Sequence, residues 1–99
     1  MTINKTLDGE KLTISLEGRL DTMTAPELEK VIRSSIEGAD SLILDFTQVG
    51  YISSAGLRTV LAAQNWMDAK GGSMVIRGAA ANIKNVFKVT GFDSFLTLE

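Results

Sequence analysis

Apolar residues alternate with polar ones at the start of the chain, first at Ile3 and Leu7 around Lys5, then at Leu12, Ile14 and Leu16 beyond Asp8-Gly9. Two alternating runs across a turn dipeptide predict a β-hairpin. Each strand has one apolar face, which suits the outer, antiparallel part of a mixed sheet. Gly18-Arg19-Leu20-Asp21-Thr22-Met23 reads as a loop leading to a helix start, with Thr24 and Glu27 spaced as a capping box and Pro26 in the first turn. Leu28, Val31, Ile32 and either Ser35 or Ile36 fall on one helical face, and Gly38 stops the helix. Leu42-Ile43-Leu44-Asp45-Phe46 is a nearly unbroken apolar run, the pattern of a central strand shielded on both faces, with Asp45 expected at its carboxyl end.

The pattern then changes to the period of a helix. Leu57, Val60, Leu61 and Met67 recur at three-and-four spacing from Ser54 to about Lys70, with Gln64 the one polar residue in the stripe. Ala55, Thr59, Ala62 and Trp66 line the opposite side. Small residues running to an aromatic make a smooth strip that another protein could approach closely, since Trp is enriched at binding hot spots; the other reading is that Trp66 folds over its own helix or a neighbouring loop. Gly71-Gly72 turns the chain into a strand at Ser73 to Arg77. A helix over Ala79 to Val89 follows, with Ile83, Val86, Phe87 and Thr90 inward, Lys84 and Lys88 outward, and Gly91 as its left-handed stop before Phe92. Phe95, Leu96 and Leu98 make a last short strand or extended tail. Strands alternating with helices after a hairpin predict an α/β fold: one mixed sheet of four or five strands under three or four helices, in a single domain over residues 1–99.

Composition narrows the chemistry. The chain has no cysteine and no histidine, so it lacks a disulfide framework, thiolate chemistry, the commonest general base and the commonest metal ligand. The usual catalytic triads are excluded, and no metal site or cofactor is expected. Asp8, Glu10, Asp21, Asp40, Asp45 and Asp68 offer carboxylates, but no spacing forces two into one site, and the phosphate-loop motif of nucleotide hydrolases is absent. An enzyme is not expected. A net charge of −2 with dispersed lysines gives no basic stripe for nucleic acid. No basic segment followed by an apolar core opens the chain, and no apolar run approaches a membrane span, so a cytoplasmic location without membrane insertion is expected.

The remaining chemistry concentrates in Gly50-Tyr51-Ile52-Ser53-Ser54-Ala55-Gly56-Leu57. Ser53 or Ser54 falls at the N-cap or first turn of the long helix, where unpaired N–H groups and the positive end of the macrodipole converge. A serine there either caps the helix as a neutral hydroxyl or carries a phosphate without melting the helix it begins. Asp21 suits hydrogen bonding to N–H groups within its own loop, and Asp45 either holds the serine loop or ends its strand.

Apolar strand, Asp45, short loop, Tyr51-Ile52-Ser53-Ser54-Ala55-Gly56-Leu57 and long helix, in that order, resemble the phosphorylation-site segment of the STAS domains, which include the bacterial anti-sigma factor antagonists. Gly18-Arg19-Leu20-Asp21 with Thr24-Ala25 and Leu28 is similar to the pattern at the end of that family's second strand, and Gly71 to Ile76 with Asn82 to Phe92 to its closing turn, strand and helix. Where the best-known members carry an aspartate before the phosphorylated serine and a second serine after it, this chain has Ser53 and Ala55. The resemblance implies Ser54 as phosphorylated residue with Ser53 as competing acceptor, and Asp21, Asp45 and Gly56 as support for the switch loop. Ser53, Ala55, Thr59, Ala62 and Trp66 would make the partner-binding surface. The implied partners are an anti-sigma factor that is also a serine kinase, and a PP2C-type phosphatase. The alternatives are a constitutive binding subunit of the same fold in a larger assembly such as a transporter complex, and a small-ligand or nucleotide binder using the helix N-terminus at Ser54 as its anion site.

Overall fold

In the computed structural model, which describes residues 1–99, the two alternating runs form an antiparallel hairpin of β1 (Thr2–Asp8) and β2 (Lys11–Leu20). Gly9 makes the turn at φ +64, a backbone conformation that costs glycine nothing. Helix α1 (Ala25–Ser35) carries the chain to β3 (Ser41–Ile52), α2 (Ser54–Ala69) to β4 (Ser73–Arg77), and α3 (Ala81–Thr90) follows. The sheet order is β1-β2-β3-β4, with β3 parallel to both β2 and β4. Beyond a single 3-10 turn at Phe92–Ser94, Leu98 pairs with Ile76 in one isolated bridge, so the tail extends the sheet edge without making a fifth strand.

One face of the sheet carries the core. Leu12, Ile14 and Leu16 of β2 and Leu42, Leu44 and Phe46 of β3 meet Leu28 and Ile32 from α1, Val60, Ala63 and Met67 from α2, and Ile83 and Phe87 from α3 in one buried cluster. All three helices therefore cover the same side. The other side, which includes Thr13, Ser15, Glu17, Asp45 and Arg77, has no helix over it. Ile43 lies there yet is only 6% exposed, whereas Asp45 on the same face is partly exposed.

Three local expectations give way to different structure. The polar residues after Phe46 do not form a loop: β3 runs on to Ile52, pairing Gln48 with Glu17, Val49 with Gly18, Tyr51 with Arg19 and Ile52 with Leu20. Two bulges absorb its extra residues, one after Asp45 and one at Gly50. Burial of Val49 and Ile52 repays the continued pairing. Asp45 consequently sits mid-strand and not at a carboxyl end. The Thr24–Glu27 capping box is also absent. Thr24 adopts helical torsions, its hydroxyl donates to the Arg19 carbonyl at 2.7 Å, and it accepts from the Asp21 N–H at 2.9 Å. The turn from Asp21 is already wound toward the helix, Ala25 N–H donating to the Asp21 carbonyl at 2.8 Å, so Asp21 does the work assigned to Thr24. Thr90, finally, is exposed, its hydroxyl turned back on the Val86 carbonyl at 2.7 Å.

Candidate functional site

The end of β3 delivers Ser53 to the start of α2 in an extended conformation, φ −97 and ψ 175, as an N-cap requires. Its Oγ accepts the Gly56 N–H at 3.2 Å, its carbonyl accepts from Leu57 at 2.9 Å, and its own N–H donates to the Leu20 carbonyl at 2.9 Å. Ser53 is thus spent on closing the helix and stitching it to β2. Ser54 is the first residue of α2, exposed, and its hydroxyl has no partner within the protein. Of the two serines, only Ser54 has an exposed hydroxyl with no hydrogen bond inside the protein, at the positive end of the helix.

Gly56 makes this placement possible. A Cβ there would lie 2.8 Å from Leu20 Cγ and 2.9 Å from both Ile52 Cγ1 and the Leu20 carbonyl oxygen. Without one, the first turn of α2 presses onto the ends of β2 and β3. Leu20, fully buried, anchors that contact; burying such a side chain contributes about 1.5–3 kcal/mol.

Asp21 shapes the neighbouring turn. Its Oδ1 accepts from the N–H groups of Met23 at 3.0 Å and Thr24 at 3.1 Å, and its Oδ2 lies 3.7 Å from Arg19 Nε. The Thr24 N–H foremost, with the Met23 N–H, the Thr24 hydroxyl and the Arg19 charge, holds its carboxyl below the usual range against the opposing effect of desolvation. The Arg19 guanidinium also stacks 4.1 Å over the Tyr51 ring. Asp21 therefore organises the loop next to the serine without bonding to it. Asp45 is farther away in function. Its Oδ1 accepts from the Thr47 hydroxyl and, at 3.0 Å, from the Thr47 N–H, fixing the first β3 bulge. Those bonds, the hydroxyl's first, and the Arg77 charge lower its pKa. The side chain makes no hydrogen bond to the loop bearing Ser54, so the structure gives it a bulge to hold in place of that loop.

The expected surface strip is the floor of a groove. Ala55, Thr59 and Ala62 of α2 face Ala25, Pro26 and Glu29 of α1, with Thr22 and Arg58 completing the walls. Thr59 is only 8% exposed, and its hydroxyl donates to the Ala55 carbonyl at 3.2 Å. Trp66 is not a protruding aromatic: it is half-buried against the core, and the Arg33 guanidinium from the last turn of α1 stands 5.2 Å over its ring. Small side chains allow α1 to come close, so the strip serves packing between helices as well as access from outside. Lys70 Nζ closes the far end by donating to the carbonyls of Ile36 and, at 3.0 Å, Glu37. Arg58, Glu29 and Thr22 line the groove without standing out in the sequence. The four-residue step from Ser54 to Arg58 was the signal for the first; nothing local marked the other two, which lie on α1 and in the turn before it.

Residues 3–98 match the family described as Mlab, STAS domain. BtrV of Bordetella bronchiseptica, a candidate anti-sigma factor antagonist, is 31% identical over 93% of this chain and 78% of its own. The structure of an anti-sigma factor antagonist from Mycobacterium paratuberculosis superposes with a TM-score of 0.81 at 26% identity, over 98% of this chain and 83% of that one. The Bacillus cell fate determinant SpoIIAA in its phosphorylated form has the same fold, with a TM-score of 0.79 at 19% identity over 99% of this chain and 91% of that one.

Proposed function

The chain belongs to the STAS domain family, and we propose on that premise that it is an anti-sigma factor antagonist switched by phosphorylation of Ser54. Unphosphorylated, it binds an anti-sigma factor that is also a serine kinase and so releases a sigma factor. That kinase transfers the γ-phosphoryl group of ATP to Ser54 Oγ; the bond to the departing ADP breaks and the hydroxyl proton passes to a base on the kinase. A PP2C-type phosphatase hydrolyses the ester, returning the hydroxyl and inorganic phosphate. The setting is the cytoplasm; no helix of the structure is long and apolar enough to cross a membrane.

The observation that carries this reading is the division of labour between the serines. Ser53 Oγ is engaged by the Gly56 N–H, whereas Ser54 Oγ is exposed and unengaged on the first residue of α2. A phosphate on Ser54 meets the favourable end of the helix dipole, so the off state costs the fold little. It costs the complex much more. Phosphate adds about −1.5 to −2 charge, and one like-charge pair at about 4 Å is unfavourable by about 4 kcal/mol at an effective dielectric near 20. A hundredfold loss of affinity requires about 2.7 kcal/mol.

Intact mass and site mapping of the protein from its native cells, under phosphatase inhibition, is the direct test. Phosphate on Ser54 is the expected result, with Ser54→Ala unphosphorylated yet still binding the partner and Ser54→Asp binding at least tenfold more weakly. Phosphate on Ser53 would transfer the switch to that residue, and its absence across growth conditions would favour a constitutive subunit of the same fold. Equal affinity of Ser54→Asp and the parent would sink the charge mechanism.

A further inference from the structure

Ser54 and Arg58 are four residues apart on α2, which stacks them on one side of the helix. Both are exposed. The ion pairs of the molecule are Arg19 with Asp21 and Arg77 with Glu99, so Arg58 has no carboxylate within 4.0 Å. Glu29, the charge facing it across the groove from α1, lies beyond that distance. Long helical side chains lean toward the N-terminus of their own helix, so the turn that begins with Ser54 is within reach of the Arg58 side chain. An unmodified hydroxyl leaves that cation uncompensated.

We propose that Arg58 is the intramolecular partner of the phosphate on Ser54, and that forming this pair resets the charge at the mouth of the α1–α2 groove. The inference rests on Ser54 being the modified residue and adds how the modification is read. A guanidinium offers parallel N–H donors matched to phosphate oxygens, which a serine hydroxyl cannot use in the same way. An anion N-terminal to a cation at this spacing is the favourable order, and the phosphate also meets the positive end of the helix dipole. Before modification, the groove mouth presents the free Arg58 cation to an acidic group on the partner. After it, the guanidinium is drawn onto the phosphate and the local charge moves from about +1 to between about −0.5 and −1. The switch then removes an attraction as well as adding a repulsion.

The test uses the full chain with phosphoserine installed at position 54 during translation, so it depends on no kinase. Phosphorus NMR follows the second ionisation of the phosphate against pH. With Arg58 present the pKa should be about 0.15–0.4 unit lower than in Arg58→Gln, with Arg58→Lys between the two. The gap should shrink at about 1 M salt, where the screening length falls to about 3 Å. Retained amide spectra check that both variants fold, as an exposed position predicts. Equal pKa values for the parent and Arg58→Gln would overturn the pairing. Native protein that never carries phosphate on Ser54 would instead overturn the reading on which the pairing rests, and the titration would still report on the pair itself.

Discussion

At Gly56 a single methyl group is the difference between an α2 that starts against the sheet and one that cannot. The contacts awaiting a Cβ are 2.8–2.9 Å away and include the Leu20 carbonyl oxygen, which cannot rotate aside as a side chain can. Gly56→Ala should therefore destabilise the protein by about 1–3 kcal/mol, despite alanine's better helix propensity of about 1 kcal/mol, and a urea midpoint will read the change. A midpoint at or above the parent's would mean the helix start can slide. The sequence was informative at this scale where a residue's role depends on its immediate neighbours. Ser53 before a helical stripe reads as a cap, and Gly91 after one adopts the left-handed conformation expected of it, φ +78. It was misleading where two local solutions compete. Asp21 and Thr24 can both serve the first turn of α1, and only the carbonyl of Arg19, brought close by the sheet, decided where the Thr24 hydroxyl points.

Helix α2 shows the same limit for a whole element. Its inward stripe was legible from spacing: Leu57, Val60 and Met67 are buried, with Gln64 among them. Gln64 Nε2 donates to Asp68 Oδ1 at 2.9 Å, but its Oε1 is buried without a partner. An orphaned amide oxygen costs about 1–3 kcal/mol, and an apolar residue of similar shape avoids that cost. Gln64→Met should raise the thermal midpoint; a fall would show that the Asp68 bond outweighs the orphaned oxygen. The other face of α2 was harder to read, because periodicity gives the direction of a side chain and not what stands opposite. Ala55, Thr59, Ala62 and Trp66 do share a side, and α1 stands against it. Truncating Trp66 would consequently disturb helix packing as well as any partner contact.

Across the whole molecule the helices crowd one face of the sheet, and the site forms where β2, β3 and α2 converge at one end of it. The two carboxylates with lowered pKa values, Asp21 and Asp45, hold a turn and a bulge of that framework. Both fold with pKa values below the ordinary 3.8, so the native state binds fewer protons than the unfolded chain in that range. Their stabilisation is complete above pH 3.8 and is lost as the pH falls through the lowered values. Acidification below about pH 4 should depress the thermal midpoint of the parent, and the Asp21→Asn, Asp45→Asn double variant should start lower at neutral pH and fall less steeply. Identical slopes would assign acid unfolding to other groups. The sequence by itself determined the order of strands and helices, the antiparallel opening hairpin of a mixed sheet and the serine at the start of α2, because each of these is written in periodicity and turn residues a few positions apart. Only the tertiary structure decided that β3 continues to Ile52, that Asp45 holds a bulge, that the helices share one face and that the small-residue strip lies beneath α1. Those outcomes depend on pairing and packing between segments far apart along the chain, and no local pattern records which partner a strand edge or a helix face will meet.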